Sequence, residues 1–122
     1  MAAVLRAIRG ATTVDVDTVE QVRTRTQALV TAMLEANDVA NEDLVSIIFT
    51  VTADVASAFP ATAARELGLD DVPLLGALEA PVAGSLPLCI RVLLHAETTR
   101  ARKDLRHVYL EGARALRRDL AD

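Results

Sequence analysis

The most regular pattern of apolar and polar positions in the chain runs from Leu88 to Glu97. Leu88, Ile90, Val92, Leu94 and Ala96 form one wholly apolar face, while Cys89, Arg91, Leu93, His95 and Glu97 fall on the other, as side chains do on a strand of period two. Residues 72–79 (VPLLGALE) are a second apolar segment, joined to the first by a loop containing Pro81, Gly84 and Pro87. Residues 2–14 read as a further strand, with apolar bulk from Val4, Leu5, Ile8 and Val14. Within it Arg9 shares a face with Leu5, Ala7 and Ala11, and Gly10 leaves room for another group to come close.

The helical signals are equally local. Asp15-Val-Asp-Thr is a turn, and Thr18 with Gln21, or Asp17 with Glu20, has capping-box spacing. From there to about Ala36, Val19, Val22, Thr26, Leu29, Val30, Met33 and Leu34 make one apolar stripe, with Arg23, Arg25, Gln27 and Glu35 off it; Asn37-Asp38 ends the helix. A turn at Asn41-Glu-Asp precedes residues 44–53 (LVSIIFTVTA), whose β-branched content predicts a buried strand. Residues 59–68 predict a short helix, with Pro60 at its first position and Gly68 just past its last. Phe59, just before it, either walls a pocket or packs into the core. The stretch 98–106 carries Arg100, Arg102, Lys103 and Arg106, read as a solvated basic face. His107-Val-Tyr-Leu is a short strand, and residues 113–120 add a helical turn. Strands interspersed with one long and one short helix give an α+β (mixed α/β) fold with a mixed β-sheet.

Composition narrows the function classes. A chain of 122 residues is expected to form a single domain, 1–122, and 52% hydrophobic with 25% charged residues describes a globular chain rather than a disordered one. One Tyr, two Phe and no Trp require an aliphatic core and remove the usual base-stacking platform; a net charge of −4 also argues against nucleic acid. No apolar run approaches a membrane span, and the lone cysteine, Cys89, forms no disulfide within the chain, so a cytoplasmic protein is expected. His95 and His107 lack the companions of a metal site, and neither metal nor cofactor is expected.

The candidate chemistry begins at Arg91. A guanidinium does not shed its proton, and it is costly to bury unpaired, so a strand that carries one amid apolar residues implies an anion. Glu79, at the end of the preceding apolar segment, is one candidate, in which case the two form an ion pair and nothing more. A ligand site is the other reading.

Four segments together resemble a known family: IRGATTV near the start, AFPATAAREL in the middle, VPLLGALE followed by GSLPLCIRV, and RHVYLEGA with LRRDL at the end. In order and separation they are similar to the trimeric, barrel-like (AroH) class of chorismate mutase, as opposed to the all-helical class. The resemblance implies conversion of chorismate to prephenate, with no metal or cofactor, by a homotrimeric pseudo-α/β-barrel with active sites between subunits. It implies catalytic roles for Arg9, Glu79, Arg91 and Tyr109. It implies a substrate-binding set of Phe59, Ala61, Thr62, Leu74, Leu75, Gly76, Ala77, Leu78 and Leu116, with Arg65 nearer the rim. Two positions depart from the pattern: family members can carry lysine where this chain has Thr62, and a small sulfur or hydroxyl residue where it has Gly76.

The chemistry implied is a concerted rearrangement in which negative charge gathers on an ether oxygen, so a fixed cation there favours the transition state over the ground state. The resemblance gives Arg91 that role, Arg9 and Tyr109 the hold on a carboxylate, and Glu79 a hydrogen bond from the ring hydroxyl. Two alternatives share the architecture: a non-enzymatic trimeric binder of small carboxylates, and an imine-hydrolysing deaminase.

Overall fold

The computed structural model describes residues 2–116. Five strands, β1 (Val4–Thr13), β2 (Leu44–Val51), β3 (Leu74–Leu78), β4 (Cys89–Thr98) and β5 (Val108–Tyr109), form one sheet in the order β3-β2-β4-β1-β5. The strictly alternating segment, β4, is central and antiparallel to both β1 and β2; β3 runs parallel to β2 and β5 parallel to β1. Among the described residues two α-helices, α1 (Val19–Ala36) and α2 (Pro60–Arg65), complete the mixed α+β fold expected from the pattern. The strand expected over 44–53 ends at Val51, and the last turn is a 3-10 turn over Glu111–Ala115, beginning two residues earlier than expected. The remainder of that expected turn, beyond residue 116, lies outside the described residues.

Alternation decides what each sheet face does. Ile8, Ile47, Phe49, Val92, Leu94 and Ala96 are buried against Leu29, Val30 and Met33 of α1 and Ala61 and Ala64 of α2. Phe49 is the sole aromatic in this core cluster; the rest is aliphatic, as so few aromatics require. A Cβ on Gly10 would lie 2.4 Å from Met33 Sδ, so the glycine lets α1 settle onto β1. Among the described residues the opposite face carries no α-helix. At one end Leu86 and the last 3-10 turn close over Ala11 and Cys89. Elsewhere it is open, with Leu5 57% and Leu75 62% exposed.

Helix α1 is capped by Thr18, whose hydroxyl accepts from the Gln21 backbone N–H at 3.1 Å. Only half of the capping box forms. The Gln21 side-chain oxygen accepts instead from Asp15 N and Val16 N, which ties down the preceding turn. Asp17 is no cap: its two oxygens accept from Ala56 N and Ser57 N and anchor the approach to α2. Val19, expected on the buried stripe, is 60% exposed, because the first turn stands clear of the sheet and burial starts at Val22.

The basic stretch also needs correction. Arg100 is not a solvated charge: its Nη1 donates to Ala36 O at 3.0 Å and its Nη2 pairs with Asp38, so it caps the negative end of α1. Arg102, Lys103 and Arg106 are exposed, as expected. Beside this cap Asn37, 1% exposed, donates to Met33 O and Arg106 O and accepts from Arg106 N at 2.7 Å. That amide joins the end of α1 to the segment leading into β5, and so fixes where Tyr109 enters the sheet.

Candidate active site

The register lines up the candidate residues on the sheet face opposite α1 and α2. Across the sheet, Ala77 of β3 stands beside Thr50 of β2, then Arg91 of β4, Ala11 of β1 and Tyr109 of β5. Arg91 and Tyr109 are therefore two strand spacings apart, roughly 10 Å at the backbone, with only the methyl of Ala11 between them. Arg9, two residues before Ala11, pairs with Leu93 and points to the same side. The result is a cleft of about 290 Å³ lined by Arg9, Ile48, Thr50, Arg91, Leu93 and Tyr109, among others. Two arginines and a phenol around a hole that size can hold a small dianion.

Glu79 does pair with Arg91. The backbone N–H of Glu79 donates to Val51 O at 2.8 Å, extending the β2–β3 ladder one residue and swinging its side chain towards β4. Its Oε1 then lies 2.8 Å from Arg91 Nε, an ion pair. The side chains are 44% (Arg91) and 27% (Glu79) exposed, and so open a pair contributes only about 0–1 kcal/mol to stability. Stability is thus a poor reason for the pair. What it does is orient: Glu79 meets the guanidinium at its Nε edge and leaves the fork of terminal nitrogens facing the cleft. Both readings of the sequence are therefore realised together, an ion pair that borders a ligand-sized cleft.

A second cleft, of about 630 Å³, shares no lining residue with the first. It is bounded by Phe59, Ala61, Thr62, Arg65 and β3 from Leu74 to Leu78. Phe59, 76% exposed, is a wall and not a core residue. Gly76 has open space where a Cβ would stand, and Arg65 Nη1 donates to Thr62 Oγ1 at 3.5 Å. The implied residues thus divide in two within one chain. Leu116 packs with the Ala11, Cys89, Tyr109 and Ala113 cluster, on the arginine side. Phe59, Ala61, Thr62, Arg65, Leu74, Leu75, Gly76, Ala77 and Leu78 belong to the other cleft. Among the described residues no three His, Cys, Asp or Glu side chains converge as a metal-holding group, and no helix is long and apolar enough to cross a membrane.

Two polar residues that sequence reasoning passed over hold the entry to β4. Thr52 Oγ1 donates to Asp54 and accepts from Cys89 N at 2.9 Å, and Asp54 accepts from Leu88 N at 3.0 Å. Leu88 sits just outside the strand at φ 51, a conformation a branched residue adopts only under such constraint. The readable signal was the period-two spacing of Ser46, Thr50 and Thr52, the first two on β2 and the third just past its end. The Thr52 hydroxyl, followed by the Leu88 N–H, holds the Asp54 carboxyl below its ordinary value of 3.8. A depressed carboxylate contributes stability that is present above its unfolded pKa and lost as pH falls through the folded one. The Tm difference between wild type and Asp54→Asn should therefore be largest near neutrality and close as pH drops below 3.8. Circular dichroism melts at successive pH values measure it. A gap that stays constant to strong acid would show that the Asp54 charge is not what locks Leu88.

Known proteins resemble the chain along almost its whole length. The sequence profile of chorismate mutase type I matches residues 5–120. The chorismate mutase AroH of Thermus thermophilus is 52% identical over 117 residues, covering 95% of this chain and 96% of that protein. The AroH of Bacillus subtilis (strain 168) is 42% identical over 118 residues, covering 96% and 93%. In three dimensions a chorismate mutase from Clostridium thermocellum superposes with a TM-score of 0.89 at 47% identity, covering 90% of this chain and 98% of its own. With that extent of agreement in sequence and in backbone, and with two arginines, a glutamate and a tyrosine set around the central strands, the chain belongs to the chorismate mutase type I family.

Proposed function

We propose that this chain converts chorismate to prephenate at clefts shared between the subunits of a homotrimer. In each, the Arg91 face of one subunit meets the Phe59 and β3 edge of the next. The observation that carries the reading is the row Thr50–Arg91–Ala11–Tyr109 with Glu79 on Arg91, in a chain matched to the family over 5–120. Arg91 directs its remaining donors at the ether oxygen, where negative charge gathers as the C–O bond breaks ahead of C–C formation. Glu79 accepts from the ring hydroxyl. Arg9 and Tyr109 hold a carboxylate, and Phe59 with the β3 edge closes the far wall. The rearrangement is intramolecular, so no nucleophile or base is needed. Holding the side chain over the ring supplies orientation, and one preorganised donor supplies roughly 3–4 kcal/mol of the ~8 kcal/mol that a million-fold acceleration requires.

Several features support assembly. Among the described residues the sheet face bearing Arg91 has no α-helix over it and exposes Leu5 and Leu75, while Leu78 and Val82 are each 66% exposed nearby. Apolar area of that extent is normally covered by a partner. A simple carboxylate binder is less well served, because it has no use for a glutamate charge set beside Arg91, whereas a substrate hydroxyl does. The test is loss of chorismate absorbance, with prephenate formed, on addition of purified protein; protein that binds chorismate without converting it would overturn the reading.

Cys89 serves this site only by packing. It is fully buried on the Arg91 side of β4, and burial pushes its thiol above the ordinary value of 9.0 despite the nearby Arg91 charge. Cys89→Ser should keep kcat/KM within about twofold while lowering Tm. A folded but inactive Cys89→Ser would give the thiol a direct role.

A further inference from the structure

Thr50 stands directly opposite Arg91 in the β2–β4 ladder. Its hydroxyl donates to Glu79 Oε1 at 2.8 Å, the same oxygen that forms the ion pair with Arg91 Nε at 2.8 Å. Two partners on one oxygen are not what an arginine and a carboxylate adopt by themselves. Left alone the pair favours the bidentate fork, in which both carboxylate oxygens and two guanidinium donors are engaged with each other. The terminal torsion of glutamate is soft, so little in the side chain itself opposes that rotation.

We infer that Thr50 is a positioning residue, which pins Glu79 by one oxygen so that neither Glu79 nor Arg91 is used up by the other. With Oε1 shared between Thr50 and Arg91, Oε2 is left for the substrate hydroxyl, and the guanidinium keeps its terminal donors for the ether oxygen. Thr50 acts through Glu79, since its single hydroxyl proton is already engaged there. The inference rests on the reading of Glu79 as the acceptor of the ring hydroxyl. It adds the residue that makes that role compatible with the ion pair.

The test uses Thr50→Val, which keeps the β-branched shape on the strand and removes only the hydroxyl. With Glu79 released to fork onto Arg91, kcat should fall by about tenfold. Thr50→Ser restores the donor and should return most of the loss. In a Glu79→Ala background, Thr50→Val should change kcat by less than about twofold, because the group through which Thr50 acts is gone. A merely structural threonine would cost the same in both backgrounds. The inference is overturned if Thr50→Val is folded and as active as wild type, or if its loss is undiminished when Glu79 is replaced. Wild-type protein with no mutase activity would overturn the functional reading itself, so the two failures are told apart.

Discussion

Replacing the Arg91 guanidinium by the neutral urea of citrulline is expected to lower kcat by roughly a hundredfold or more, with the protein still folded. The geometry makes this a clean substitution. The contact to Glu79 is made through Nε, and citrulline keeps an N–H at that position. What changes is the far end of the side chain, where one donor becomes a carbonyl and the positive charge is lost. If Arg91 only tethered a carboxylate, its loss would weaken ground state and transition state alike, raising KM and sparing kcat. If it stabilises charge that develops on the ether oxygen, kcat itself falls. Arg9 and Tyr109 line the same cleft and, in the proposed reading, hold the carboxylate, which leaves Arg91 for the second role. A bicyclic mimic of the transition state should still bind, but more weakly. Arg91→Lys is a poorer probe, because an ammonium on a flexible stem reproduces neither the fork nor the Nε contact. Steady-state kinetics with near-normal kcat and raised KM would eliminate the electrostatic role.

Much of this site was legible in the sequence because a strand reports its faces. The alternation from Leu88 to Glu97 placed Arg91 opposite an apolar face, and the structure has Ile90, Val92, Leu94 and Ala96 buried with Arg91 outside. Gly10 announced a close approach that Met33 makes. Pro60 announced the start of a helix that then carries one cleft wall. That helix ends at Arg65, earlier than the Gly68 stop signal implied, and the chain turns before the positive-φ glycine. What escaped depended on pairing between distant segments. Thr50 becomes functional only because register sets it beside Arg91 and because Glu79 arrives from a third strand. Arg100 looked like a solvated charge, but the carbonyl it caps, Ala36, lies 64 residues away. Such contacts have no local signature. The division of the substrate set into two clefts was equally hidden, since motif order says nothing about which side of a sheet edge each residue reaches.

That division leads to the second large effect. Sedimentation equilibrium should return three chains per particle. Within such a particle, two disabled variants should rescue each other. Arg91→Ala removes the cation from one cleft and leaves the Phe59 cleft whole. Gly76→Trp does the reverse: nothing lies within 4 Å of a Cβ at this position, so the indole enters the 630 Å³ cleft without displacing the core. Each variant alone should show near-background activity. When they are dissociated and reassembled as a 1:1 mixture, a subunit with intact Arg91 will meet a neighbour with intact Gly76 at about a quarter of the interfaces, by random assortment in a heterologous ring. Activity should therefore rise from background to about a quarter of the wild-type value per subunit. If both halves of the site came from one chain, every site would carry a lesion and mixing would restore nothing. Native mass spectrometry establishes that mixed trimers have formed, and mixed trimers without recovered activity would place the whole site within a single subunit.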